Sequence, residues 1–402
     1  MDASSTAAAG SGSGSGSATA IATGTGTGTR HRIRVAVVFG GRSSEHAISC
    51  VTAAGVLRVL NRDRYDVVPI GITPAGRWVL APDEPTRWDL PAAPGGPLPE
   101  VTGDEGPGVL VPLEVGRGEL VTYAPGELPR ALAEVDVVLP LLHGPFGEDG
   151  TLQGLLELGD VRYVGSGVLA SAASMDKHVM KVMLAGAGLS VGRHVLVTPK
   201  DWERDPTGVA ERVAELGWPV FVKPARAGSS IGITRVTGPG GPLTDAIELA
   251  RSHDPKVVVE AAIVGREIEC AVLEDIAGGP PLTSVCGEIE VVAGHDFYDF
   301  EAKYLDAESV RLTTPADLPE DVAGRVRELA ARTFEVMGCE GLARVDFFVG
   351  DDGEVTVNEL NTMPGFTPFS MYPRLWQASG VPYAELVDRL LRLALRRRTG
   401  LR

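Results

Sequence analysis

Hydrophobic order begins abruptly at Ile33. Residues 33–39 are almost wholly apolar, as in a strand covered on both faces. Gly40-Gly41 turns the chain, and Ser43 or Ser44 is placed to cap a helix. Ile48, Val51, Gly55, Val56, Val59 and Leu60 then recur at helical spacing. A second strand is predicted at 65–70, and strand, helix, strand predicts a parallel α/β unit. From Pro82 to about Pro129 the periodicity breaks among Pro and Gly, predicting a peripheral, partly irregular insertion with strands at 108–113 and 119–123. Beyond it come a buried strand at 135–142, a helix at 151–158 and a short strand at 161–164.

The second half reads differently. A helix is predicted at about 175–187, then strands at 220–223, 231–236 and 256–260 around one helix near 243–251. Residues 266–273 and 283–291 alternate more clearly, as antiparallel strands with one face covered. A helix at about 320–337 is apolar at Val322, Val326, Leu329, Ala330, Thr333 and Met337. A hairpin follows at 342–349 and 354–360. The last helix, 383–398, ends in Arg396-Arg397-Arg398, charges that complement the helix dipole. The fold class is α/β, with an α+β character in the C-terminal part.

Composition narrows the function. The 402 residues are enough for two or three domains, and 44% hydrophobic content is enough for a sizeable core. With 37 Lys+Arg against 53 Asp+Glu the formal charge is −16, which argues against nucleic acid and anionic membranes as partners. No run reaches the ~18–20 apolar residues of a membrane helix, and the start lacks the basic and apolar blocks of a secretion signal. Residues 1–30 are mostly Ala, Gly, Ser and Thr, a disordered tail by composition. Cys50, Cys270, Cys286 and Cys339 lie far apart without zinc-type spacing, so reduced buried thiols in a cytoplasmic protein are expected.

The hairpin carries the most chemistry. If its turn is Gly350-Asp351-Asp352-Gly353, then Val349 pairs with Glu354 and Arg344 lies opposite Glu359. Alternation puts Arg344, Asp346, Glu359 and Asn361 on one face, with Val345, Phe347 and Leu360 on the other. Hard oxygen donors of this kind suit Mg²⁺ or Mn²⁺. Lys223 ends a strand before the loop Gly228-Ser229-Ser230-Ile231-Gly232, whose backbone N–H groups can close over phosphates. Lys177 and Lys181 share a helical face, which plain solvation would also explain. Glu260 and Glu267 could hold a nucleotide's amine and ribose. His143 follows a strand, where ligands of open α/β sheets bind, and Glu45 stands at a helix start, placed to capture an ammonium group.

As an ordered set these segments closely resemble D-alanine–D-alanine ligases of the ATP-grasp superfamily. The match runs through Gly40-Gly41-Arg42-Ser43-Ser44-Glu45-His46, His143-Gly144 with Gly147-Glu148-Asp149-Gly150, Ser174-Met175-Asp176-Lys177, Val222-Lys223-Pro224 and the glycine loop. It continues through Phe297-Tyr298-Asp299-Phe300-Glu301-Ala302-Lys303-Tyr304, Ala343-Arg344-Val345-Asp346-Phe347 and Asn358-Glu359-Leu360-Asn361-Thr362-Met363-Pro364-Gly365. The resemblance implies an ATP-grasp fold of three domains at 31–165, 166–264 and 265–396, with ATP held between the central and C-terminal ones. It implies ATP contacts from Lys177, Lys223, Ser230, Glu260, Ile263 and Glu267, and two Mg²⁺ or Mn²⁺ ions on Asp346, Glu359 and Asn361. Glu45, Ser229, Arg344 and Ser370 would be catalytic, and His143, Lys303, Tyr304 and Gly365 would bind substrate. The expected reaction joins two D-alanines through an acyl phosphate for peptidoglycan synthesis, in a cytoplasmic homodimer. Ala227, Phe300 and Ala261-Ala262-Ile263 depart from the family pattern at the lid and adenine pocket. Tyr304 favours the dipeptide, since relatives making D-alanyl-D-lactate typically lack this tyrosine. The alternatives are ligases that take D-lactate or D-serine second, and a nucleotide-binding regulatory module without turnover.

Overall fold

The computed structural model describes residues 32–91, 96–111, 119–291 and 310–398. The expectations for the N-terminal tail, Phe300, Lys303 and Tyr304 lie outside them. Three sheets organise the described residues. In the first, β1 (Ile33–Gly40) leads into α1 (His46–Val59) and pairs in parallel with β2 (Tyr65–Ile72), as the apolar runs predicted. The capping differs from expectation: Glu45 holds the N-cap position without a side-chain cap bond. The Ser43 hydroxyl instead donates to the His143 carbonyl (2.7 Å) and accepts from the Glu45 N–H (3.2 Å).

The Pro- and Gly-rich stretch is partly irregular and places its two strands toward the outer edge of the first sheet, as expected. Strands β3 (Trp78–Leu80), β4 (Gly108–Leu110), β5 (Glu119–Tyr123) and β6 (Arg130–Glu134) extend the sheet antiparallel, and β7 (Val137–Pro140) closes its other edge in parallel with β1. The strand order is β6-β5-β4-β3-β2-β1-β7. Helix α2 (Thr151–Leu158) matches its predicted span, whereas the strand expected at 161–164 reduces to an isolated bridge between Val138 and Tyr163.

The helix expected at 175–187 is α4 (Lys177–Gly186), and a helix the periodicity does not predict, α3 (Val168–Met175), precedes it. Asp176 breaks them and caps α4, its carboxylate accepting from the N–H groups of His178 and Val179. The second sheet, ordered β10-β9-β11-β8, comprises β8 (His194–Val197), β9 (Val220–Pro224), β10 (Thr234–Val236) and β11 (Val257–Ala261), with α5 (Pro199–Arg204), α6 (Pro206–Ala214) and α7 (Gly241–His253). Sequence periodicity missed β8, α5 and α6, although the Thr198–Asp201 capping box and Asp205 before Pro206 announce both helices.

The third sheet is antiparallel, ordered β14-β13-β12-β15-β16: β12 (Arg266–Leu273), β13 (Leu282–Val291), β14 (Val310–Thr313), β15 (Leu342–Val349) and β16 (Val355–Asn361). Helix α8 (Glu320–Val336) lies on one face, in an apolar cluster with Ile268, Cys270, Val345 and Phe347. Helices α9 (Met371–Ala378) and α10 (Tyr383–Arg396) share a second cluster with Ala271 and Leu273 and with the first sheet's Val35, Val37 and Phe39. Arg397 does more than complement a dipole. Its side chain is 7% exposed, donates to the Gly165 (2.6 Å) and Tyr163 (3.2 Å) carbonyls, and stacks 4.2 Å from the Tyr163 ring.

Candidate active site

A cleft of about 1050 Å³ opens among the C-terminal ends of the first sheet's parallel strands, the second sheet and the third sheet. Every predicted site residue within the described part lines it: Glu45, His143, Lys177, Lys223, Ser229, Ser230, Glu260, Ile263, Glu267, Arg344, Asp346, Glu359, Asn361, Gly365 and Ser370.

The hairpin reaches its predicted face by a different register. Near the turn Val349 pairs with Val355, one residue from the expected partner, and Phe347 pairs with Val357. A bulge then intervenes, so Asp346 pairs with Glu359 and Arg344 with Asn361. A one-residue slip exchanges the two faces of a strand. The extra residue, Asn358, restores Glu359 and Asn361 to the cleft and Leu360 to the core. There Arg344 donates to both Asp346 oxygens (Nε 2.7 Å, Nη2 2.8 Å), Asn361 Nδ2 donates to Asp346 (3.0 Å), and Glu269 of β12 lies 3.2 Å from Arg344 Nε. Burial alone would weaken the guanidinium's charge, but Asp346 and Glu269 outweigh it and hold Arg344 firmly protonated.

Among the described residues no three His, Cys, Asp or Glu side chains surround a common point. The donors on this face are two carboxylates and an amide, hard oxygens that fit Mg²⁺ or Mn²⁺ completed by phosphate and water.

Opposite the hairpin lies a lysine cluster. Lys223 Nζ donates to Glu260 at 2.8 Å, and Lys181 Nζ approaches the other Glu260 oxygen at 3.3 Å. Lys181 also donates to the Asn358 carbonyl (3.3 Å) at the bulge. Solvation does not explain it: the residue is 1% exposed. Burial pushes the Glu260 carboxyl up, but Lys223 and Lys181 outweigh burial and bring it down to about 2. Burial dominates at Lys181 and lowers its pKa, whereas at Lys223 Glu260 overcomes burial and raises it. Lys177 donates to the Ala227 carbonyl (2.9 Å) and lies 3.8 Å from Glu359.

The glycine loop joins this end to Glu45. Ser229 and Ser230 both adopt left-handed backbone, φ +48° and +56°, a conformation unfavourable for serine. The Ser229 hydroxyl donates to buried Glu45. Arg226 anchors the loop base through a two-pronged pair with Asp254 (3.0 and 2.7 Å). His143 is buried behind Glu45, with Nδ1 3.1 Å from the Met363 carbonyl and 3.7 Å from Glu148, and Nε2 3.3 Å from Thr52. Burial would lower its pKa, but Glu148 and Glu45 raise it. At the far end the Ser370 hydroxyl accepts from the Thr367 N–H (3.1 Å) below Gly365.

Glu148 and Glu269 line the cleft although no residue pattern singles them out: Glu148 sits within the His143–Gly150 segment, and Glu269 shares a strand face with Glu267. Lys181, named only for its spacing from Lys177, lies buried behind the cleft lining, where it meets Glu260 and the Asn358 carbonyl.

Residues 34–166 match the family described as D-ala D-ala ligase N-terminus, and residues 183–392 match D-ala D-ala ligase C-terminus. A D-alanine--D-alanine ligase of Kineococcus radiotolerans is 68% identical over 375 residues, 92% of this chain and 98% of that one. The Streptomyces coelicolor enzyme of that name is 55% identical over 92% of this chain and 94% of its own. Among solved structures, the VanG D-Ala:D-Ser ligase from Enterococcus faecalis superposes with a TM-score of 0.77 at 34% identity, covering 90% of this chain and 99% of that one. The D-alanine-D-alanine ligase from Coxiella burnetii gives 0.76 at 35%, covering 90% and 94%. With matching family domains along most of its length and relatives this similar, the chain belongs to the D-alanine–D-alanine ligase family, on the ATP-grasp fold.

Proposed function

We propose that the cleft binds ATP and two D-alanines and joins them into D-alanyl-D-alanine, releasing ADP and phosphate, for peptidoglycan precursor synthesis. The observation that carries this reading is the convergence of the lysine cluster, the strained glycine loop and the Arg344 carboxylate face on one cavity. ATP lies between the second and third sheets, its phosphates facing Lys177, Lys223 and Ser230 and its base and ribose facing Glu260, Ile263 and Glu267. The Glu260 carboxylate is engaged by two lysines, so it sets their charge as well as facing the base.

A carboxylate resists nucleophilic attack, so the first D-alanine's carboxylate takes the terminal phosphoryl group and becomes an acyl phosphate. Glu45, oriented by Ser229, holds that alanine's ammonium beside His143. The second D-alanine's neutral amine attacks the acyl carbon and phosphate leaves. Arg344 and the Gly365 N–H face the oxyanion, a preorganised charge and dipole where negative charge develops. Ser370, with Lys303, holds the second carboxylate, and Tyr304 favours an amine acceptor. Asp346, Glu359 and Asn361 would hold Mg²⁺ or Mn²⁺, which neutralises charge on the transferred phosphoryl group when bound. We further propose three domains at 31–165, 166–264 and 265–396, a homodimer and a cytoplasmic location.

The test supplies Mg²⁺-ATP and D-alanine, with D-lactate as competitor, and resolves products by mass. Equal yields of ADP, phosphate and D-alanyl-D-alanine support the reading. Dominant depsipeptide overturns the acceptor assignment, and absence of ADP release overturns the ligase.

A further inference from the structure

The face of β12 opposite the cleft carries a thiol pair. Cys270 and Cys286 are direct cross-strand partners on β12 and β13, both free and buried beneath α8. The Cys286 Sγ lies 3.8 Å from the Ala323 carbonyl of α8, and the Cys270 Sγ lies 3.8 Å from the Ser284 carbonyl. Opposed residues of antiparallel strands have Cα atoms about 4.5–5.5 Å apart, inside the range a disulfide spans. Their Cβ atoms, about 4.5–5.5 Å apart, need approach by only about an ångström to bond. The irregularity between Cys270 and Val272 gives the strand local freedom to make that approach.

The two sulfurs are chemically unequal. Hydrogen bonding from Cys270 lowers the Cys286 thiol, and the Arg327 guanidinium lowers it further. Cys270 is raised by the same bond and by burial. Burial pushes Cys50 and Cys339 up to about 12. Cys286 is therefore the thiol that ionises and attacks, and Cys270 the one that resolves.

We propose that Cys270 and Cys286 are a redox modification site, closed to a disulfide by hydrogen peroxide, and that closure weakens nucleotide binding. The Cys286 thiolate attacks one peroxide oxygen, the O–O bond breaks, and the departing hydroxide takes a proton to become water. The Cys270 sulfur then attacks the sulfenic sulfur, the S–O bond breaks, and the leaving oxygen takes the thiol proton as a second water. Two thiols and one peroxide thus give one disulfide and two waters. The bond shifts β12, whose other face presents Glu267 and Glu269 to the cleft. The effect on nucleotide rests on the ligase reading, whereas the bond itself does not.

Fully reduced protein is treated with hydrogen peroxide, quenched with iodoacetamide, and digested without reductant for mass spectrometry. Binding of a non-hydrolysable ATP analogue is measured on the same samples by calorimetry. A peptide linked through Cys270 and Cys286 is expected, with Kd raised at least about five-fold, the lower end of usual coupling between sites. Dithiothreitol should reverse both changes, and Cys286→Ala should abolish both while leaving binding by reduced protein unchanged. Alkyl groups on both cysteines after peroxide would overturn the site. An unchanged Kd in linked protein, or weakened binding that persists in Cys286→Ala, would overturn the coupling. Reduced protein that binds no analogue would count against the ligase reading, and the peptide mass would still decide whether the bond forms.

Discussion

Glu260 sets the charge balance at the inner end of the cleft, because two buried lysines depend on one carboxylate. Removing one partner of a buried ion pair leaves its counterpart uncompensated, typically at a cost of about 3–5 kcal/mol. We therefore expect Glu260→Gln to lose stability of that order in urea unfolding, and the double change with Lys181→Met to recover part of it. Recovery fails if Lys181 is not the stranded charge. The same group shapes acid denaturation. Its folded pKa lies at about 2, below the usual 4.5, so its stabilisation is complete above pH 4.5 and is lost as pH falls toward 2. Glu260→Gln should flatten the stability–pH slope in that window and leave it unchanged near neutrality. A second residue, Asp346, accepts from Arg344 and Asn361. Its change to Asn should lower kcat by about 10²–10³, as when one element of transition-state charge stabilisation is removed. Steady-state ADP release measures this, and full turnover would remove Asp346 from the site. Lys181 shows the limit of reading residues from spacing: helical periodicity places it beside Lys177, but only the tertiary packing of β11 and β16 reveals that this face is buried.

Among elements, the β15–β16 hairpin was legible in its strands and in its chemistry, but not in its register. Alternation assigns faces from parity alone, so an error of one residue at the turn and a further one at the Asn358 bulge left the predicted faces intact. Nothing in the local pattern marks the bulge, which the Lys181 contact to the Asn358 carbonyl helps to hold. The apolar run of β1 and the alternation of β12 are readable because burial imposes their patterns. Short elements such as β3, β8 and α9 carry too few turns or alternations to show a period. The C-terminal arginines were misread for a related reason. Charge at a helix end has a generic explanation, and only the fold brings Tyr163 and Gly165 to Arg397. Arg397→Ala should cost about 1.5–3 kcal/mol, the usual worth of hydrogen bonds to a charged group. Arg398→Ala should stay within about 0.5 kcal/mol, as for a surface change. Equal urea midpoints for the two variants would refute the clamp.

Across the whole molecule, α1 links groups at opposite ends of the cleft. Glu45 stands at its N-terminus, while Gly55, near its middle, meets the segment that carries Ser370. A Cβ at Gly55 would come within 2.7 Å of Pro368 Cδ and 3.3 Å of the Tyr383 hydroxyl. Tyr383 in turn donates to the Phe366 carbonyl (2.7 Å), so the segment is held from two sides and cannot yield freely. In an isolated helix Gly→Ala would be stabilising by about 1 kcal/mol. Here that gain competes with displacement of Pro368, a rigid ring one residue from Phe369 and two from Ser370. The effect on folding should therefore be small, while the effect on substrate geometry should be large. We expect Gly55→Ala to raise KM for the second D-alanine and to lower kcat/KM by about ten- to a hundred-fold, the scale of an ångström's misplacement. Affinity for the ATP analogue should stay unchanged, because Lys177 and Lys181 lie on α4 and Lys223 and Glu267 on the second and third sheets. Initial rates over a wide D-alanine range separate the two amino-acid sites. A rise confined to the ATP KM would show that α1 does not position the second subsite, and an unfolded variant would show that Gly55 serves packing alone.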